Sequence, residues 1–170
     1  MHIFPEGRIH QHPQLAMRYF RWGVSRLILE SEPLPQIIPI FVDGTNQIMH
    51  ESRKFPRFIP RVGKDVRVVF GEDVDGEKVF GDLRRKWKRL VELQKDALQR
   101  KGFDDHLEMG ELTEGLKYHP EVVELRLEVT KRMRNEILRL RRELGYPEED
   151  PKNGLVETWE VERGLGGERG

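Results

Sequence analysis

The sequence predicts an α/β chain: a mixed, mostly parallel sheet with flanking helices over residues 1–75, a helical extension with two or more amphipathic helices over 76–146, and a flexible tail over 147–170. Three observations carry that prediction. Up to Gly71, short apolar runs rich in β-branched residues flank a helical stretch, the strand–helix–strand order of a parallel unit. From Leu83 onward the apolar residues recur every three or four positions, the period of helices with one buried face. The last stretch holds Pro147, Pro151 and five glycines, which disfavour helix and strand alike.

The elements follow in order. His2–Phe4 is a strand stub ended by Pro5 and Gly7, and a helix opens at Pro13, where a missing N–H costs nothing. Phe20, Val24, Leu27 and Ile28 form its apolar face, and Pro33 and Pro35 stop it. Gln36–Val42 is a short buried strand in which Pro39 marks an edge or a bulge, and Asp43-Gly44 turns the chain. A valine-rich strand over Asp65–Phe70 ends at Gly71. Leu83, Trp87, Leu90, Val91, Gln94 and Leu98 then share one helical stripe, with Arg84, Arg85, Lys88, Arg89 and Lys95 as a basic shoulder. The last helix begins near Pro120, carries Val122, Leu125, Val129, Met133, Ile137, Leu140 and Leu144, and stops at Gly145-Tyr146-Pro147. Both stripes are expected to pack against the sheet or each other rather than against a partner or a membrane face.

A chain of 170 residues suffices for one ordinary domain that buries about 70% of its unfolded surface. The absence of cysteine excludes disulfides, thiolate zinc sites and a cysteine nucleophile. Thirty basic side chains balance thirty acidic ones, so no global charge attracts a nucleic acid, and any charged partner must meet a local patch. Mean hydropathy is −0.68, and the longest apolar stretch, Ile37–Val42, is far short of a membrane span. The opening residues read as neither a secretory signal nor a transit peptide.

The strongest local motif is Phe4-Pro5-Glu6-Gly7-Arg8 at the end of the strand stub. Proline fixes the exit of the chain, glycine permits a tight turn, and the amides that follow can cradle an anion. Arg8 offers a planar fork for two phosphate oxygens, while Glu6 could orient that guanidinium or a substrate hydroxyl. On these five residues alone an ordinary surface turn with an ion pair is an equal reading. His10-Gln11-His12 has no third ligand nearby, so no metal site is expected. In the Met49–Lys64 segment, Arg53, Lys54, Arg57, Arg61 and Lys64 alternate with Phe55, Phe58 and Ile59 against the single acid Glu51. That pattern suits contact with an anionic lipid surface. A solvated connection with its aromatics tucked into the core is an equal reading, whereas a nucleic-acid partner is disfavoured.

His2-Ile3-Phe4-Pro5-Glu6-Gly7-Arg8 resembles the third sequence block of the PlsC-like glycerophospholipid acyltransferases, whose usual form is Phe-Pro-Glu-Gly-Thr-Arg-Ser. A basic residue directly after the glycine is similar to the tafazzin branch of that family. The likeness continues through Phe20-Arg21-Trp22-Gly23, Arg26-Leu27-Ile28, the fourth-block stretch Ile37-Ile38-Pro39-Ile40, Gly44, Asn46, Phe55-Pro56-Arg57-Phe58 and Gly63-Lys64. It covers about residues 1 to 75. The resemblance implies a partial PlsC-like domain and a phospholipid–lysophospholipid transacylase of mitochondrial membranes that remodels cardiolipin without coenzyme A or another cofactor. Its implied partners are phospholipid and lysophospholipid, cardiolipin and lysocardiolipin among them, at a peripheral membrane surface. It assigns Phe4, Pro5, Glu6, Gly7 and Arg8 to the acceptor glycerophosphate and Pro39 to the acyl-donor side.

One departure bears on activity. The family's general base is a His with an Asp five positions later, four residues lying between, but here His2, His10, His12, His50, His106 and His119 are each followed at that place by Gly7, Leu15, Met17, Phe55, Glu111 and Glu124. No catalytic residue is therefore assigned within these 170 residues. The expectation is the carboxy-terminal part of such a protein, incomplete and inactive by itself, with its catalytic block upstream. The alternative is a non-catalytic membrane-surface or protein-interaction module.

Overall fold

The computed structural model describes residues 1–12, 14–50, 53–56, 58–100 and 113–159. Its elements in chain order are α1 (Ser25–Glu30), β1 (Ile40–Asp43), α2 (Thr45–Ile48), β2 (Arg67–Phe70), α3 (Gly76–Arg100), α4 (Glu114–Tyr118) and α5 (Pro120–Glu143). Short 3₁₀ turns stand at Trp22–Val24 and Pro151–Gly154.

The described strands form an antiparallel pair, which corrects the expected mostly parallel sheet. Ile40 faces Phe70, Phe41 faces Val69, Val42 faces Val68 and Asp43 faces Arg67. The reversal has a local cause. Gly44 has a left-handed φ of 90°, and a Cβ there would run into the Asp65 carbonyl, so a residue without a side chain lets β1 leave and β2 return at close range. Among the described residues no crossover helix of a parallel unit intervenes, because α2 is a single turn. Backbone bonds from Gly71 N to Pro39 O (2.8 Å) and from Val74 N to Ile37 O (2.9 Å) extend the pairing beyond the ladder. Replacement Gly44→Ala is expected to cost about 1–2 kcal/mol from the strained φ and the closed gap. Urea titration reads it as a lower midpoint at unchanged slope.

Two further expectations change. His2–Phe4 is not a strand but irregular chain leading into a turn at Pro5–Glu6, with Gly7 N donating to Phe4 O at 3.0 Å. Pro13 lies outside the described residues, and residues 14–21 are not helical despite their apolar spacing. Their backbone is engaged by side chains from elsewhere, as described below, and helix begins only at Ser25.

The chain forms two compact units. The first takes Met1–Arg21, Ile37–Val74 and Met133–Gly170, the second Trp22–Gln36 and Asp75–Arg132. In the first, Ala16, Met17, Phe20, Phe41, Leu140 and Trp159 are buried. In the second, Ile28 and Leu29 of α1 are buried, with Phe80, Leu83 and Trp87 of α3 and Val122, Leu125 and Val129 of α5. The helical stripes read from the sequence thus do face a core. Arg84, on the expected basic shoulder, is itself buried: it donates to the Ile28 carbonyl and, at 2.9 Å, to Ser31 O and Glu32 Oε1. It thereby satisfies carbonyls at the end of α1 that no intrahelical donor reaches.

Candidate functional site

The Phe4–Arg8 turn is built on the extended segment that follows it. Gly7 has φ 66°, which closes the turn, and Pro5 O accepts from Arg21 N at 2.8 Å. A Cβ on Gly7 would lie 2.6 Å from Cδ and Nε of Arg21, so the bare glycine face admits that guanidinium stem. Phe4, Gly7, Arg8 and Arg21 are exposed, whereas Pro5 and Glu6 are half-buried. Two cations, Arg8 and Arg21, therefore reach solvent at this turn.

Glu6 faces the other way. The carboxylate that could have served Arg8 or a substrate hydroxyl accepts from the Arg18 amide at 2.9 Å through Oε2. Next to it Glu149, with its side chain 2% exposed, accepts from Met17 N at 2.5 Å and pairs with Arg134 at 2.9 Å. Arg134 also donates to Arg18 O at 3.1 Å and Met17 O at 2.9 Å. Burial pushes Glu6 above the usual carboxylate range, against the opposing pull of the Arg18 amide and of the Arg134 and Arg18 charges. Burial likewise raises Glu149, opposed chiefly by Arg134, and lowers Arg134, opposed by both carboxylates. Sequence reasoning missed Arg134 and Glu149, because neither belongs to a motif and both lie more than a hundred residues from the turn.

Pro39 is buried at the entrance to β1, where proline needs no ladder donor. It borders a hollow of about 240 Å³ with Phe70, Gly71, Glu136, Arg139 and Leu140 among its walls, none of them from the Phe4–Arg8 turn. The structure thus joins Phe4–Arg8 to Arg18, Arg21, Arg134 and Glu149, and gives Pro39 separate surroundings. Among the described residues no three potential metal ligands converge, and His10 stacks edge-on against Trp159 with centroids 4.4 Å apart.

The basic segment is a surface loop. Its backbone is pinned by Arg61 N to Ile48 O at 3.1 Å and by Arg53, which is half-buried and donates through Nη1 to Ile59 O at 2.5 Å. Lys54, Arg61 and Lys64 are exposed, and Arg57 lies outside the described residues. Phe55 is 87%, Phe58 72% and Val62 92% exposed, so the reading with aromatics tucked into the core does not hold. The two phenyl rings meet edge to face at 6.1 Å. No helix among the described residues is long and apolar enough to cross a membrane.

No family model matches the chain. It is similar to the tafazzin of Saccharomyces cerevisiae, 30% identical over 167 residues, which is 94% of this chain and 41% of the yeast protein. It is similar to a tafazzin of Dictyostelium discoideum, 38% identical over 81 residues, 47% of this chain and 28% of that one. An N-acylphosphatidylethanolamine synthase of Arabidopsis thaliana is 32% identical over 77 residues, 44% of this chain and 27% of the plant protein. The chain therefore spans less than half the length of each of these relatives. The yeast likeness runs through the helical half as well as the first 75 residues.

Proposed function

We infer, from the premise that this chain is a homologue of the tafazzins and so of the phospholipid acyltransferases, that it supplies the acceptor-holding and membrane-facing part of a phospholipid–lysophospholipid transacylase. The observation that carries this reading is the loop in which Phe55, Phe58, Ile59 and Val62 stand exposed among Lys54, Arg61 and Lys64. Apolar side chains that project beside cations suit a leaflet that is anionic at its surface and apolar beneath. The acceptor is a lysophospholipid whose phosphate lies at the Gly7–Arg8 turn, between the guanidinium groups of Arg8 and Arg21. Pro39 and the hollow beside it serve the acyl-donor side. Cardiolipin remodelling at mitochondrial membranes is the cellular setting this reading takes from its tafazzin likeness.

The proposed division of labour leaves proton transfer to a group outside these residues, since none of their six histidines is followed at the required spacing by aspartate. That absence also favours the second reading, a membrane-surface module without catalysis.

Sedimentation with cardiolipin-containing and with neutral vesicles, at low and high salt, tests the membrane contact. Binding is expected only to the anionic vesicles at low salt. The triple change of Lys54, Arg61 and Lys64 to Gln should weaken it about a hundredfold, each cation being worth about 1 kcal/mol near a negative leaflet. Arg53 is kept, because it holds the loop. Phe55→Ser with Phe58→Ser should release the chain from lipid without unfolding it. Equal binding to both vesicle types, unchanged in the triple variant, rejects the loop as the contact.

A further inference from the structure

We propose that Arg134 and Glu149 are positioning residues of the acceptor turn, acting through the Met17–Arg18 backbone to hold Phe4–Arg8 in its binding shape. The proposal deepens the reading above and rests on it, because it takes the Gly7–Arg8 turn as the place of the acceptor's phosphate.

Met17 and Arg18 are buried, at 8% and 6% exposure, and lie in neither a helix nor a strand ladder. Buried backbone donors and acceptors outside regular structure still require partners. Here all four are supplied by side chains. Met17 N goes to Glu149 and Arg18 N to Glu6, while Met17 O and Arg18 O both take bonds from the Arg134 guanidinium. The planar fork of arginine suits this task, since one rigid group must reach two adjacent carbonyls and a carboxylate together.

The held segment is the bed of the turn. It touches Phe4–Arg8 through the Arg18 amide on Glu6 and, three residues on, through the Arg21 amide on Pro5 O. The Arg21 side chain lies across the face of Gly7. A displacement of Met17–Arg18 therefore moves both cations that flank the turn. There is an electrostatic part as well. Glu6 stands only two residues from Arg8, and an uncompensated carboxylate there would oppose an incoming phosphate. With its charge turned inward toward Arg134, the exposed side of the turn is left positive.

The test uses the full chain, isotope-labelled for amide spectroscopy and titrated with sn-glycerol 3-phosphate. Arg134→Lys keeps the charge but loses the fork, Glu149→Gln keeps the shape but loses the charge, and Lys131→Ala, an exposed position on the same helix, is the control. The two cluster variants are expected to shift the Gly7 and Arg8 amide resonances and to speed hydrogen exchange at Met17 and Arg18. They should weaken glycerol 3-phosphate binding about tenfold, the scale of one misplaced charge-assisted bond. The control should do none of these. Where Arg134→Lys fails to fold, Glu149→Gln decides alone. Wild-type affinity and unmoved Gly7 and Arg8 resonances in a folded cluster variant overturn the proposal. If the wild-type chain binds no glycerol 3-phosphate while the cluster variants still move the turn, the positioning role stands and the acceptor reading falls.

Discussion

Acyl transfer from a phospholipid to a lysophospholipid by these 170 residues alone is expected to be unmeasurable. In that reaction the acceptor hydroxyl oxygen bonds to the donor's ester carbonyl, the hydroxyl proton must leave, and the departing alkoxide must collect a proton. A positioned base that takes and returns that proton is worth roughly a hundred- to ten-thousandfold. No histidine here carries the aspartate partner at the spacing that would orient it, and Glu6, the carboxylate in the acceptor motif, is tied to the Arg18 amide. Labelled phospholipid mixed with lysophospholipid, with product followed against protein concentration, provides the measurement. Turnover that scales with this chain overturns the division of labour proposed above.

Replacement Phe80→Ala is expected to cost about 3–5 kcal/mol, because it removes a phenyl group from a position with no exposure and leaves a cavity the neighbours only partly fill. That is about a few hundred- to a few thousandfold in the folding equilibrium, a large share of the stability of an ordinary domain. Phe55→Ala, at 87% exposure, should fall within about 0.5 kcal/mol of wild type. The pair separates the two roles of phenylalanine in this chain, one in the core and one on the surface loop. Chemical denaturation of both variants measures the contrast, and similar losses would show that the loop aromatics are packed after all.

The sequence made legible what local physics decides. The stripes through Leu83 and Trp87, and through Val122, Leu125, Val129 and Leu140, face cores because a three-to-four repeat has only one way to bury its apolar side. Gly145-Tyr146-Pro147 ends the last helix as expected, with Gly145 N returning to Arg142 O and Tyr146 N to Arg141 O. The Phe4–Arg8 motif was visible as a turn, and Gly7 closes it. What failed to show is what distance in sequence hides. The apolar spacing before Ser25 suggested a helix from Pro13, but the amides and carbonyls of Met17 and Arg18 are taken by Glu6, Arg134 and Glu149, and no window around residue 17 contains the last two. The sense of the strand pairing turns on the close approach of Gly44 to Asp65, which no periodicity reports. Arg84 read as part of a solvated shoulder because its charge invites that, whereas its guanidinium serves the carbonyls that end α1.

The bond from Met17 N to Glu149 joins residues 132 apart, and Arg134 reaches back 116 residues to Arg18. During synthesis the Met17–Arg18 backbone is therefore made well before the side chains of Arg134 and Glu149 that complete its bonding. At roughly 5–20 residues per second, the Met17–Arg18 backbone waits about 7–26 s before its acidic partner has been translated. Throughout that interval the Met17 amide must be satisfied by water, and the carbonyls of Met17 and Arg18 likewise until Arg134 is made, so a stop before residue 149 leaves the bed of the turn incompletely held.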